Sequence, residues 1–102
     1  MGVGRKRISM NNWPFADAQN VATITMRQII HGGAPILLVC HDEYDGGWQF
    51  LTGESFAEVD GMVVGLNAMF ALDPTIAELV DLPLGWQASR EHHGAPWSRI
   101  PI

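Results

Sequence analysis

Short apolar runs separated by turn signals predict a chain built mainly from β-strands. Residues 21–25 are rich in β-branched side chains, which predicts a strand. Residues 36–41 form a continuous apolar run after a proline, which predicts a central strand covered on both faces. A Tyr-Asp-Gly-Gly turn follows, and the apolar pattern resumes at Trp48, an expected core residue. Residues 36–52 are therefore predicted to form a β-hairpin.

The remaining patterns add strands and two short helices. Residues 26–30 can form a helix that a glycine pair ends. Asp73 followed by Pro74 predicts a second helix, because aspartate is a good N-cap and proline suits the first helical position. Three apolar side chains of this helix are predicted to share one face: Ile76, Leu79 and Val80. Further strands are predicted at residues 62–66 and 86–90.

Four or five strands with two short helices predict an α+β fold, with the helices packed on one face of a small antiparallel or mixed β-sheet. Residues 1–12 are polar and basic and are predicted to be a flexible tail, so residues 13–102 form the single domain. From His92 onward the pattern predicts a loop held in place by Trp97. With 102 residues, 47% of them hydrophobic and 17% charged, the chain can bury one core and is not disordered.

The net charge of −5 is unevenly distributed and bears on the choice of partner. Half of the six basic residues lie in Arg5-Lys6-Arg7, and three arginines against eleven acids leave −8 from residue 8 onward. Nucleic-acid binding needs a basic surface, and anionic membranes repel an acidic one, so no nucleic acid and no membrane partner is expected. No apolar run is long enough for a membrane span. The acidic excess either only keeps a small protein soluble or also attracts a basic protein partner.

The cysteine and histidine pattern indicates neither a disulfide nor a metal site. Cys40 is the only cysteine, which suits the reducing cytoplasm, the expected location. Within the predicted central strand it is favoured as a small core side chain over a nucleophile. The histidines lack zinc-ligand spacing, and the acidic loop after His41 lacks the terminal ligands of a calcium loop. No phosphate loop or nucleophile elbow is present, so no catalytic residue, cofactor or metal is predicted.

Six residues are predicted to contact a partner: Asp42, Glu43, Asp45, Trp86, Arg90 and Trp97. The three acids lie at the tip of the predicted hairpin, where carboxylates stay solvated and can steer a basic partner. For the two tryptophans, a core position and an exposed binding position remain alternatives. Arg90 is predicted to share a strand face with Trp86. It either pairs with an acid of this chain or holds a partner's carboxylate.

Two motifs resemble those of a bacterial family of domains of unknown function grouped with immunity proteins of polymorphic toxin systems. Residues 39–54 are similar to its acidic turn, G-W-x-F-L strand and G-[DE] ending, although Gly46-Gly47 departs from the pair more common in relatives. Residues 72–76 and 82–90 are similar to its D-P-[ST]-[IL] helix start and P-x-G-x-x-A-x-R ending. The resemblance covers about residues 20–98. It implies a small α+β domain that binds and does not catalyse.

Three functions remain open from the sequence. The first is an immunity-like binding domain that engages a basic protein through its acidic surface. The second is a small ligand-binding or enzymatic domain with a cleft near Arg90 and Trp86, which a concave pocket with convergent polar groups would favour. The third is a domain that dimerises through an edge strand, so a monomer and a homodimer are both compatible with the sequence.

Overall fold

The computed structural model describes residues 13–55 and 57–102, so the predicted basic tail lies outside the described residues. The strands are β1 (Ala22–Met26), β2 (Leu38–His41), β3 (Trp48–Leu51), β4 (Gly61–Gly65), β5 (Trp86–Ser89) and β6 (Ser98–Pro101). The helices are α1 (Arg27–Ile30), α2 (Leu66–Leu72) and two 3₁₀ helices, Glu58–Asp60 and Pro74–Leu79. The six strands form one sheet in the order β4-β1-β3-β2-β5-β6.

The sheet is mixed, which confirms the predicted α+β class. β1 lies parallel to β3, and the other neighbouring strands are antiparallel. β2 and β3 form the predicted hairpin, in which Val39 pairs with Phe50 and His41 with Trp48. The prediction of a loop from His92 onward is wrong in part, because this segment supplies β6, which pairs with β5.

The hydrophobic core lies on the inner face of the sheet, where the helices pack. Val39, Phe50 and Ala88 form one fully buried row across the adjacent strands β2, β3 and β5. Trp48 belongs to the same core and is 2% exposed, as predicted. The helices add five buried side chains: Ile29, Leu66, Met69, Ile76 and Leu79. The molecule is therefore a sheet with a layer of short helices.

The segment after Asp73 begins as predicted but is a 3₁₀ helix. The Asp73 carboxylate accepts the Thr75 N–H at 3.0 Å, which makes Asp73 the N-cap. A 3₁₀ helix has three residues per turn, so Ile76 and Leu79 lie on one line and are both buried. Val80 turns away and is exposed, so its predicted place on the buried face is wrong.

The opposite, outer face of the sheet carries a row of six residues, one from each strand, which we term the open face. Its members are Val63, Ile24, Gln49, Cys40, Gln87 and Ile100. Val63 is 72% exposed and Ile24 is 45% exposed, while Cys40 is half-buried. The prediction that β2 is covered on both faces is therefore wrong. Val39 faces the core, but its neighbour Cys40 is half-buried on the open face, so the prediction that Cys40 is a core side chain is also wrong.

Candidate partner-binding surface

The three predicted acids lie at the tip of the β2–β3 hairpin. The Asp42 N–H donates to the Gly47 carbonyl at 2.8 Å, and the Gly46 N–H donates to the Asp42 carbonyl at 3.0 Å, which closes the turn. The Asp42 carboxylate accepts the Tyr44 N–H, and the Asp45 carboxylate accepts the Gly47 N–H, both at 2.8 Å. Each of these two carboxylates thus uses one oxygen to accept a hydrogen bond within the turn.

The tip carries negative charge that the described arginines do not neutralise. In the described ranges the basic side chains of Arg27, Arg90 and Arg99 pair with Asp60, Asp73 and Asp81 respectively. None of these acids belongs to the hairpin tip. Within residues 13–55 and 57–102, the lysine and arginine side chains are therefore paired with acids away from the tip. The negative charge of the tip favours a cation from outside these residues.

A groove of about 270 Å³ connects the tip with the open face. Its lining includes the apolar residues Ala22, Ile24 and Val63 and the acids Asp42 and Asp45. The parallel pairing of β1 with β3 brings these apolar side chains beside the hairpin tip. Apolar surface next to carboxylates suits a lysine or arginine, because such a side chain combines an apolar stem with a charged head.

A second groove lies on the other side of Asp42. Its lining includes Cys40, Glu43, Tyr44 and Ile102, and it shares Asp42 with the first groove. The two grooves therefore adjoin at Asp42 and Gln49 and together form an acidic, partly apolar surface across the open face.

Trp86 lies at the same end of the sheet as the tip but belongs to the inner face. It pairs with His41 on β2 and packs, half-buried, against the core. The His41 ring stacks on Trp48 with 3.8 Å between ring centroids, and its Nδ1 lies 2.7 Å from the Leu82 carbonyl. The Trp86 side chain is thus on the other face of the sheet from the two grooves.

Arg90 forms a buried ion pair near the other end of β5. Its side chain has no exposed surface, and its Nη2 donates to Asp73 Oδ2 at 2.9 Å. Its Nε donates to the Ile36 carbonyl and its Nη1 to Thr75 Oγ1, both at 3.0 Å. The internal salt bridge, one of the two roles expected for Arg90, is confirmed. The enclosed guanidinium does not reach the open face.

Trp97 packs on this ion pair. The Arg90 Cζ lies 4.1 Å from the centroid of the Trp97 ring, and Trp97 Nε1 donates to Glu78 at 3.0 Å. Arg90 follows Trp86 by four residues, which is roughly 13 Å along an extended strand. The six predicted residues therefore form two groups. Four lie at the tip end of the sheet, and Arg90 and Trp97 lie at the other end.

A third groove beside the ion pair is the nearest match to the cleft expected near Arg90. Its polar lining includes Asp73 and His93, with Nε2 of His93 3.3 Å from Asp73 Oδ1, but Arg90 does not line it. Burial alone would raise the pKa of Asp73. The hydrogen bonds from Thr75 and the charge of Arg90 outweigh this effect and lower that pKa below its ordinary value of 3.8.

Sequence analysis missed Ile24 and Val63 as part of the surface, although β1 carries a signal. Its alternation is inverted: Thr23 and Thr25 are buried, while Ile24 between them is exposed. The threonine hydroxyls donate to the carbonyls of Val64 at 2.8 Å and Phe50 at 2.7 Å, which satisfies them in the core. Ile24 lies next to Val63 on the solvent side of the sheet, and neighbouring exposed apolar side chains of this kind are typical of interaction surfaces.

Cys40 offers a probe of this surface. Burial raises the pKa of its thiol above the ordinary value, and the charge of Asp42 raises it further. We expect Ellman's reagent to label native Cys40 more slowly than free cysteine at pH 8, because less thiolate is present. Asp42→Asn should speed the labelling a few-fold, whereas Glu54→Gln should not. Equal rates in the two variants would contradict this account of the Cys40 environment.

Comparisons with known protein families, curated proteins and solved structures find no match to this chain. The resemblance to the immunity-protein family thus stays a prediction. In the described ranges, no three histidine, cysteine, aspartate or glutamate side chains are grouped as metal ligands. No helix among the described residues is long and apolar enough to cross a membrane.

Proposed function

We propose that this protein is a binding domain that engages a basic protein partner through the hairpin tip and the open face. The observation that carries the proposal is the groove in which Ile24 and Val63 lie beside Asp42 and Asp45. The arginines of the described residues pair with other acids, which leaves the carboxylates of this groove open to a cation from a partner.

The chemistry of the groove selects the type of side chain that it accepts. A lysine or arginine of the partner lays its methylene stem against Ile24 and Val63, and its charged head meets the carboxylates of Asp42 and Asp45. The second groove, with Glu43, accepts another basic side chain on the far side of Asp42. An extended basic segment that crosses both grooves is the partner geometry that fits.

The resemblance to immunity proteins agrees with this mode of binding. An immunity-like role needs an acidic surface that masks a basic partner, and it needs no catalytic group. In this proposal Asp42, Glu43 and Asp45 steer and hold the partner. Arg90 and Trp97 stabilise the fold, and Trp86 supports the tip from the inner face of the sheet.

The direct test uses a ten-residue fluorescent peptide that alternates lysine and threonine. The triple variant Asp42→Asn, Glu43→Gln and Asp45→Asn removes three charges but keeps the side-chain oxygens that close the turn. We expect the dissociation constant for the peptide, measured by fluorescence anisotropy at about 0.15 M salt, to rise about tenfold, because a surface ion pair contributes up to about 1 kcal/mol.

The matched control removes three exposed charges elsewhere, by Glu54→Gln, Glu58→Gln and Glu91→Gln. We expect this variant to bind the peptide within about twofold of the unmodified protein, since long-range attraction alone is weak and is screened by salt. An equal loss of affinity in both triple variants would show that net charge alone explains the binding, which would contradict a site at the tip. Unchanged binding in the tip variant would remove the tip from the site.

A further inference from the structure

The two edge strands of the sheet differ in their protection against pairing with another chain. β6 contains Arg99 and Pro101, and a charged residue and a proline are devices that discourage edge-to-edge association. β4 has the sequence Gly-Met-Val-Val-Gly, with no charge and no proline. Its central residue, Val63, is 72% exposed. The β4 edge is therefore the one open to a further strand.

The hydrogen-bond pattern shows which backbone groups β4 presents at this edge. The Leu66 N–H donates to the Val21 carbonyl, and in an antiparallel ladder the residues that bond to the neighbouring strand alternate. Met62 and Val64 therefore bond to β1, and the N–H and C=O of Val63 point away from it. Gly61 and Gly65 point outward as well.

The outward groups of β4 complement those of a second copy. The Gly61 N–H already donates to the Glu58 carbonyl, and the carbonyl of Gly65, the N-cap of α2, serves the first turn of that helix. Among the described residues, the edge groups of β4 that have no backbone partner are both groups of Val63, the carbonyl of Gly61 and the N–H of Gly65. Two antiparallel β4 strands centred on Val63 pair all of these groups with one another.

The side chains and charges permit the same arrangement. In this register Val63 faces its own copy, Met62 faces Val64, and Gly61 faces Gly65, so small and apolar residues meet. The position opposite Asp60 is Leu66 and not an acid. Two copies with a net charge of −5 each can approach along such a strip because it carries no charge.

We infer that β4 is a homodimer interface, at which two copies of this chain pair antiparallel about Val63 and extend the sheet. A closed twofold contact of this kind uses the same strand on both subunits. It also places the open faces of the two copies side by side, with Val63 of one copy next to Val63 of the other. The inference does not depend on the proposed binding of a basic partner.

The test measures the mass of the full-length chain by light scattering during gel filtration over a range of concentrations. We expect twice the chain mass of 11.2 kDa for the unmodified protein. Val63→Pro removes an outward N–H without touching the bonds to β1, and Val63→Lys places two like charges at the twofold axis. Each variant should raise the dimer dissociation constant at least tenfold.

The control is Ile24→Lys, which places a lysine on the same face of the sheet as Val63→Lys does. Ile24 lies on β1, the strand next to the edge strand β4. It should leave the dimer intact, with native folding of all variants checked by circular dichroism. A monomeric unmodified protein at all concentrations would overturn the inference. So would dimers of Val63→Lys, or dissociation by Ile24→Lys, which would place the contact on the sheet face. The peptide-binding assay reports separately on the proposed function.

Discussion

Replacing Arg90 with alanine is expected to lower the free energy of unfolding by about 3–5 kcal/mol. The Arg90 guanidinium is enclosed and donates to Asp73, to Thr75 and to the Ile36 carbonyl. Without it, Oδ2 of the buried Asp73 carboxylate loses its charged donor, while Oδ1 keeps its bonds from Thr75, and the Ile36 carbonyl loses a donor. A buried charge left without compensation is what makes such a substitution costly.

The measurement is urea denaturation, compared with Arg99→Ala as a matched control. Arg99 also pairs with an aspartate, Asp81, but that pair is largely exposed, so its loss should change stability far less. The double variant Arg90→Met and Asp73→Asn should recover part of the lost stability, because asparagine removes the uncompensated charge and keeps an oxygen that can cap the 3₁₀ helix. Equal effects of Arg90→Ala and Arg99→Ala would contradict a buried, enclosed role for Arg90.

Features set by neighbouring residues were the predictable part of the fold. The hairpin over residues 36–52 follows from an apolar run, a glycine-rich turn and a second run that starts at Trp48. The N-cap role of Asp73 follows from its own side chain and the proline after it. Both need only local physics, and both are confirmed.

The missed elements had weak local signals or depended on distant parts of the chain. Residues 66–72 contain good helix formers, but Leu66 also extends the apolar run of β4 and was assigned to that strand. β6 contains a proline and has no alternation of buried and exposed residues, because all four of its residues are exposed at the edge. It forms through its pairing with β5, which the order of residues alone does not indicate.

The candidate surface also has one part that follows from the local sequence and another that depends on distant strands. The exposed acids of the tip follow from the hairpin, so Asp42, Glu43 and Asp45 were found in the sequence. The apolar part of the groove comes from β1 and β4. β1 lies beside β3 only because the chain crosses over to place the two strands parallel, and β4 is brought close by its pairing with β1. The sequence predicts an acidic partner for Arg90 but does not identify it as Asp73, because Asp73 lies 17 residues earlier in another element.

Replacing Trp48 with alanine is expected to lower the free energy of unfolding by about 3–5 kcal/mol, through lost burial and the cavity left behind. The Trp48 side chain is buried between two aromatic neighbours. It stacks on His41 at 3.8 Å and meets Phe15 edge-on at 5.6 Å between centroids. Its Nε1 also donates to the Asp17 carboxylate at 3.2 Å. A small domain has roughly 5–15 kcal/mol of total stability, so the variant should be partly or wholly unfolded.

The matched control is Tyr44→Ala, four residues earlier in the same hairpin, where the aromatic side chain is almost fully exposed. This change should alter stability by no more than about 0.5 kcal/mol. Thermal melts separate the two variants clearly, because 1 kcal/mol shifts the melting temperature of a domain of this size by about 4–8 °C. Trp48 belongs to the strand pair next to the turn and anchors that end of the hairpin in the core, whereas Tyr44 lies in the turn itself. A stable Trp48→Ala protein would therefore contradict the view that the burial of Trp48 fixes the position of the hairpin tip. It would also remove our explanation of why the acids of the tip face the open groove.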